Sequence, residues 1–369
     1  MSLKSDPRTV MTLDAGGTTF VFSAMRGQRQ VLAPIAQPSH GDDLDDCLQG
    51  IIDGFARVRA ALDRCPDAIS FAFPGPADYP AGIIGKLGNL PAFRDEVALG
   101  PMLEDHFDVP VYINNDGDLF AYGEAIAGLL PEVNEELARA GNPKRFRHLF
   151  GATLGTGFGG GIVRGGQLLL GDNSGAGEVW RLRHKLEPRQ FVEEGVSIRA
   201  VRRSYAEMAG IPPERSPEPQ EIFAIAEGRV PGNRTAAEEA FRRLGEIAGD
   251  ALATVTTLID GLIVIGGGLA GAAALFLPSL VAEMNGHLES LTGKRVDRMG
   301  VRAFNLEQPE ELREFLSGAP RELEVPYSRR RVLYDPLRRV GVGLSRLGTS
   351  RAVAVGAYAF ALDALDRDR

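Results

Sequence analysis

Apolar residues fall along this chain at two spacings. Nearly unbroken apolar runs at residues 10–13, 68–73, 110–113, 148–154 and 262–265 lie close to glycine, proline or asparagine and predict short buried strands. Between them, Leu44, Leu48, Ile51, Ile52, Phe55 and Val58 recur at helical spacing within residues 42–62. Helices are likewise predicted at 119–129, 236–259, 269–277 and, rich in alanine, 352–365. Strands that alternate with helices make this an α/β chain. Residues 131–147 read as an exposed helix and loop, 212–219 as a proline-rich loop, and 299–339 as charged and irregular.

Twice a strand enters a glycine turn and leaves it as a second strand. The first turn is Asp14-Ala15-Gly16-Gly17-Thr18-Thr19. The second is Gly155-Thr156-Gly157-Phe158-Gly159-Gly160-Gly161, whose outgoing strand folds back at Arg164-Gly165-Gly166. One glycine-rich hairpin per half suggests a duplicated plan. A third cluster, Gly266-Gly267-Gly268, closes one strand and opens a helix. The uncharged stretch 261–282 around it is long enough to span a bilayer, but its glycines and Pro278 make it strand, turn and helix.

A length of 369 residues allows two or three domains. Lys and Arg number 41 against 49 Asp and Glu, a net charge of −8, so nucleic acid and anionic membranes are not expected partners. With only Cys47 and Cys65 there is no disulfide scaffold and no four-cysteine zinc site. The first residues carry charges and Pro7 where an export signal would be apolar, and a cytoplasmic protein is expected.

Two segments match GxGxxG by letter. Gly155/Gly157/Gly160 is followed by a strand, not the helix that a dinucleotide site needs, and Gly266/Gly268/Gly271 lacks the acidic residue about twenty positions on. No P-loop exists, because Gly293-Lys294 is followed by Arg295. Phosphate can still be held by backbone N–H groups in a tight glycine turn with threonine hydroxyls beside them. Three glycine clusters, each directly after a strand, favour such a nucleotide-phosphate site over structural turns. Asn115-Asp116 sits where a strand ends and a helix begins. Asp116 is there either an N-cap or a general base for phosphoryl transfer.

These residues together resemble the ROK family of bacterial sugar kinases. The resemblance rests on Asp14-Ala15-Gly16-Gly17-Thr18, Asn115-Asp116 with Gly123-Glu124, the 154–161 glycine run, Gly175-Ala176-Gly177-Glu178 and Val264-Ile265-Gly266-Gly267-Gly268, in that order. It implies two ribonuclease H-like domains of the actin-like ATPase/hexokinase-like fold flanking a cleft. Residues 1–115 would form the small domain, joined by the final helix at about 352–369. Residues 116–351 would form the large one, with additions near 131–147 and 299–339. The implied cofactors are ATP and Mg²⁺, and the implied partners are a sugar and further copies in a homodimer or homotetramer.

Carried over by position, Asp116 is the base that activates a sugar hydroxyl. Asn89, Asn115, Glu178 and Glu193 are sugar ligands. Asp14 with Gly16, Gly17 and Thr18 forms the Mg²⁺ and phosphate loop, Thr156 and Gly157 the second phosphate loop, and Gly267 with Gly268 the adenosine-side turn. The family's GAGExGH histidine falls on Arg181, beside Trp180, and no cysteine lies between Trp180 and Ser197, so no zinc site is expected. Arg181 suits an anionic group on the substrate, or else pairs with Glu178, Glu193 or Glu194 and shapes the wall. Trp180 stacks on a sugar face or packs in the core, and His184 reads as a surface residue or a substitute for the missing histidine. Arg329-Arg330-Arg331 and Arg338-Arg339 form a basic patch, either a solvated face, a subunit contact or an anion site. The first strand, read from about Val10, leaves no room in this sequence for the helix-turn-helix of the family's repressors.

The expected function is therefore ATP-dependent phosphorylation of a hexose or hexose derivative, at C6. The alternative is a sensor of the same fold that binds sugar or nucleotide with little turnover.

Overall fold

The computed structural model describes residues 3–87 and 90–367. Its framework is two six-stranded sheets that share the order of four strands. In the first, Thr9–Ala15 and Thr19–Arg26 make an antiparallel hairpin, and Ala68–Ala72 and Val111–Asn114 follow in parallel on the other side of Thr9–Ala15. In the second, His148–Leu154 and Phe158–Arg164 make the hairpin, and Leu262–Gly266 and Arg339–Leu344 follow in parallel. Gln167–Leu168 extends this hairpin and Arg302–Asn305 closes the far edge. The duplicated plan read from two glycine turns thus extends to both sheets.

Each sheet has its own core. Phe20, Phe22, Phe55, Phe71 and Phe73 fill the first, largely edge to face, while the second packs against the long Arg234–Ile259 helix and Ala273–Met284. Between the sheets, helix Asp116–Ala127 crosses Thr349–Arg367 at very short range. A Cβ on Gly123 would collide with the Ala352 carbonyl, and one on Gly356 with the Leu119 carbonyl. Glu124, fully buried on the first helix, fixes the approach: its carboxylate accepts from Ser345 Oγ at 2.6 Å and from the N–H groups of Leu129 and Leu347. From there the final helix lays Val355, Tyr358 and Leu362 on Val10, Met25 and Ala68 of the first sheet.

Two segments are more ordered than the sequence suggests. Within 131–147, the helix Leu129–Arg139 buries Leu129, Leu130, Val133 and Leu137, so only its outer face is exposed. The stretch 299–339 contributes the edge strand Arg302–Asn305, the helix Pro309–Ser317 and a two-stranded ribbon of Arg321–Glu324 with Arg331–Tyr334. Arg339 is not part of a surface patch. It is buried, paired with Asp335 at 2.6 Å. The glycine-rich segment 261–282 is a buried strand, one 3-10 turn at Gly268–Ala272 and a helix that runs on to Met284. Among the described residues no helix is long and apolar enough to cross a membrane.

Candidate active site

Sheet register brings the two acidic motifs together. Asp14 is aligned with Ala72, and Ala72 with Asn114, so the ends of three parallel strands lie side by side. Beyond the last of them come Asn115 and Asp116. Ligand crevices in open α/β sheets form at these carboxyl ends. Here a cleft of about 450 Å³ opens, lined by Asp14, Asn115 and Asp116 from one side and by Gly157, Trp180, Glu193 and Gly267 from the other.

Asn115 is the N-cap of helix Asp116–Ala127: its Oδ1 accepts from the Gly117 N–H at 2.8 Å. The same N–H lies 2.8 Å from Asp116 Oδ1 as well, but the extended backbone of a cap belongs to Asn115, so the cap position falls to Asn115 and not to Asp116. Asp116 occupies the first helical position and opens onto the cleft, where a helix N-terminus favours negative charge. Asp116 is nevertheless enclosed by protein mass on the other sides. That desolvation, with the charge of Asp14 adding to it, raises its pKa above the usual Asp value. Tyr79, buried and donating to the Phe73 carbonyl at 3.0 Å, lies 3.5 Å from Asn115 Nδ2 and orients that amide.

Packing requires glycine at Gly160 and Gly161. A Cβ on Gly161 would lie 2.5 Å from the Gly117 carbonyl, and one on Gly160 would lie 2.6 Å from the Gly177 carbonyl. Glycine there lets both the start of the Asp116 helix and the loop that ends in Glu178 press against the strand Phe158–Arg164.

The first turn is shaped from within. Gly16 N–H donates to the Thr19 carbonyl, while Ser39 donates through Oγ to Gly17 O at 2.7 Å and through its N–H to Thr18 O. The loop's carbonyls are thereby engaged, and the Gly17 and Thr18 N–H groups donate to no protein group among the described residues. In the second turn Gly155 N–H donates to Gly157 O, and Thr156 is exposed between them. Gly267, at φ +87°, approaches the Leu154 carbonyl too closely for any Cβ and donates its N–H to Thr349 Oγ1 at 3.0 Å. Gly268 beside it faces open space.

Glu193 is tied into this loop rather than left free. It accepts from the Phe158 N–H at 2.9 Å and from Arg199 Nη2 at 2.7 Å. Glu178 accepts from Arg181 Nε at 2.8 Å and from Trp180 Nε1 at 3.1 Å. The Arg181 guanidinium lies 4.3 Å from the Trp180 ring centre, and that ring packs edge-on to Phe191 while also lining the cleft. Of the alternatives for Arg181, the geometry is that of the wall-forming pair with Glu178. Gly16, Thr156 and Gly268 are chain neighbours of lining residues, Gly17 and Thr18 follow two and three residues after the lining Ala15, and Glu178 and Arg181 reach the cleft through Trp180. Asn89 lies outside the described residues.

His184 is neither at the surface nor in the cleft. It is 5% exposed, and its Nδ1 accepts from the N–H groups of Leu186 and Glu187 at 3.1 and 2.9 Å. Burial lowers its pKa, which keeps the ring neutral and able to accept. The loop 182–192 is thus closed by an imidazole and by the Val192 N–H to Leu182 O bond, in a stretch without cysteine.

Thr349 and Ser350 also line the cleft, at the start of the final helix, and went unread in the sequence. Their signal was present: Gly348-Thr349-Ser350 immediately before an alanine-rich helix is a helix-start pattern.

A model of the ROK family matches residues 10–305. The chain belongs to the ROK family. The beta-glucoside kinase of Listeria monocytogenes is 26% identical over 287 residues, which span 76% of this chain and 88% of that protein. That of Klebsiella pneumoniae is 27% identical over 208 residues, or 55% of this chain and 64% of the relative. An N-acetyl-D-glucosamine kinase of Vibrio vulnificus is 30% identical over 174 residues, about half of each chain. Among solved structures, a glucokinase from Parabacteroides distasonis is 54% identical with a TM-score of 0.90, covering 98% of this chain and 99% of that one. A ROK glucokinase from Streptomyces griseus, solved with glucose and AMPPNP, shares the fold at 19% identity and a TM-score of 0.60, over 95% of this chain and 98% of that one. The expected fold class therefore stands, and by its relatives the chain is classed with the carbohydrate kinases.

Proposed function

We propose that the protein transfers the γ-phosphoryl group of ATP to a hydroxyl of a hexose or hexose derivative, at C6, with Asp116 as general base. One observation carries this reading. Asp116 lines a cleft where both glycine-rich hairpins meet, at the first helical position with one oxygen on the Gly117 N–H and the carboxylate open to the cleft, and its surroundings make it more basic than an ordinary carboxylate.

The other residues supply position and charge. Asn115, with Oδ1 spent on the cap, presents Nδ2 to a sugar oxygen. Glu193 and Glu178 present acceptors to sugar hydroxyls from the opposite wall. The Gly17 and Thr18 N–H groups and the Thr156–Gly157 turn offer donors to phosphate oxygens, and Gly267 with Gly268 leaves space for the adenosine side. Mg²⁺ of the nucleotide complex would neutralise charge on the transferring group. Asp14, an exposed carboxylate at the cleft, fits an ion that takes one or two carboxylates alongside substrate phosphates.

A coupled ADP-release assay with MgATP over neutral, amino, N-acetyl and acidic sugars tests the proposal, with Asp116→Asn as the control. Sugar-dependent turnover lost in that variant supports it. Sugar binding by thermal shift with no turnover on any sugar favours the sensor, and neither signal removes the sugar site.

A further inference from the structure

Asn115 lines the cleft, while Asn114 before it lines a second cavity, of about 580 Å³. Three elements meet there: the edge strand Val111–Asn114 of the first sheet, the Gln167–Leu168 extension of the second hairpin, and the C-terminal part of the final helix. Its volume is that of a small-molecule site, and it lies at a junction between the two halves, where such sites concentrate. It shares no lining residue with the cleft.

Asn114 sets this cavity apart. Register pairs Ser70 with Tyr112 and Ala72 with Asn114, and alternation puts Tyr112 and Asn114 on one face of the sheet. That face meets the final helix, where Tyr112 packs edge-on to Phe360. Asn114 is 1% exposed, yet neither its Oδ1 nor its Nδ2 has a hydrogen-bond partner among the described residues. Buried side-chain amides are nearly always bonded, so this one leaves a donor and an acceptor to be matched by a group that supplies both. Tyr79, Tyr112, Phe360 and Leu168 give the cavity apolar and aromatic walls. Its two charged lining residues, Asp363 and Arg367, pair with each other at 3.4 Å.

We propose that this cavity is a second, non-catalytic site for a neutral hydroxylated ring, an unphosphorylated sugar. A hydroxyl both donates and accepts, so one or two neighbouring hydroxyls satisfy both amide atoms of Asn114. The C–H face of a pyranose fits aromatic walls, and the Asp363–Arg367 pair offers no uncompensated charge to a phosphate. An occupant lies against Tyr79, whose hydroxyl is 3.5 Å from Asn115 Nδ2 in the cleft. The ligand class is read from these residues, and only the choice of sugars as probes rests on the kinase reading.

Thermal melts with D-glucose and N-acetyl-D-glucosamine, titrated to about 100 mM because a ligand this small binds weakly, test the site. Glu193→Ala, which impairs the cleft, serves as the background. Its melting temperature is expected to rise with sugar, and the rise to vanish when Asn114→Leu or Leu168→Trp is added. Asn114→Leu exchanges an unpaired amide for an apolar group of similar size, so it is expected to fold. Leu168→Trp fills the cavity from the half-exposed hairpin and leaves Asn114 intact. Glucose 6-phosphate should give no larger shift than glucose. If the cleft binds no sugar, wild type and Glu193→Ala respond alike and both lose the response with Asn114→Leu, which separates failure of the kinase reading from failure of this one. No sugar-dependent shift in Glu193→Ala overturns the proposal. So does an equal shift in all variants, which is a general solute effect and leaves the amide to a buried water only. A stronger response to glucose 6-phosphate that Asn114→Leu removes overturns the neutral class and assigns the site to an anion.

Discussion

Glu193 accepts a hydrogen bond from the Phe158 N–H at 2.9 Å, and that contact dictates the residue before it: a Cβ on Gly157 would collide with the same carboxylate oxygen. The clash is not relieved by a rotamer change, because the second oxygen of Glu193 is held by Arg199. Gly157→Ala is therefore expected to cost about 1–3 kcal/mol, the usual range for overpacking, and to lower sugar affinity as Glu193 is displaced. Glu193→Ala in the same chain removes the collision, so stability should partly return while sugar affinity does not. A thermal-melt cycle over the two single variants and the double measures this; simple additivity of the stability losses would contradict the contact.

Asp116 gives a prediction in which activity and stability move in opposite directions. Although Asp116 is open to the cleft, desolvation by the protein around it raises its pKa, with Asp14 adding to that, by more than its backbone hydrogen bonds lower it, so the fold disfavours its ionised form relative to the unfolded chain. That penalty is absent below the unfolded pKa of about 3.9 and complete above the raised folded value. Asp116→Asn is thus expected to melt higher than wild type at pH 7, with the gain shrinking on acidification and gone below about pH 4. Turnover should fall by roughly 10²- to 10⁴-fold, the usual contribution of a general base. In the wild type, kcat should decline on the acid side through the raised pKa.

Much of this architecture was legible because hydrophobic period and glycine placement speak directly about strands and turns. Both hairpins, the strand ends carrying Asp14 and Asn115, and the final helix are examples. What remained hidden depends on who meets whom across long sequence distances. Nothing local distinguishes Gly157, next to a carboxylate 36 positions away, from Gly161, next to a helix carbonyl 44 positions back. The 299–339 stretch looked irregular because an exposed ribbon and an edge strand carry fewer apolar residues than a buried element. His184 was misread for the same reason: its two acceptor bonds exist only once the loop has closed.

Gly161 should be more sensitive than its place in a glycine-rich run suggests. With a Cβ there 2.5 Å from the Gly117 carbonyl and 2.7 Å from Asp118 Cα, Gly161→Ala pushes the helix start that carries Asp116. The expected result is a kcat at least about tenfold lower, since small misplacements of catalytic groups are costly. Gly271→Ala, where a Cβ meets open space, is the control and should leave kcat unchanged. Steady-state kinetics on both variants would decide it.

His184 predicts a pH effect on stability with a definite sign. Its folded pKa lies below the ordinary 6.5, so the unfolded chain binds the proton more readily. Stability should be full above about pH 6.5 and fall on acidification until the folded pKa is passed. His184→Asn, which retains an acceptor near Nδ1 and does not titrate, should flatten that slope. His184→Leu leaves the Leu186 and Glu187 N–H groups without that acceptor and should be destabilised at every pH, by about 0.5–1.5 kcal/mol for each part-buried hydrogen bond lost. Melting temperatures from pH 5 to 8 for the three proteins check both statements.

Arg181 yields the prediction that bears most on substrate choice. Taken alone, a guanidinium at this position favours an acidic sugar. In the fold its charge is already met by Glu178 at 2.8 Å, and its guanidinium carbon lies 4.3 Å from the Trp180 ring centre. With the pair largely exposed, at 67% and 42%, the ion pair contributes no more than about 1 kcal/mol after solvent screening. Arg181→Ala should therefore loosen Glu178 and raise KM a few-fold for every accepted sugar, because Trp180 Nε1 still holds the carboxylate. The ranking of neutral, amino, N-acetyl and acidic sugars by kcat/KM should not change. A loss confined to acidic sugars would show that Arg181 breaks its pair to bind the substrate's anion, and Arg181 would then be a specificity residue in its own right.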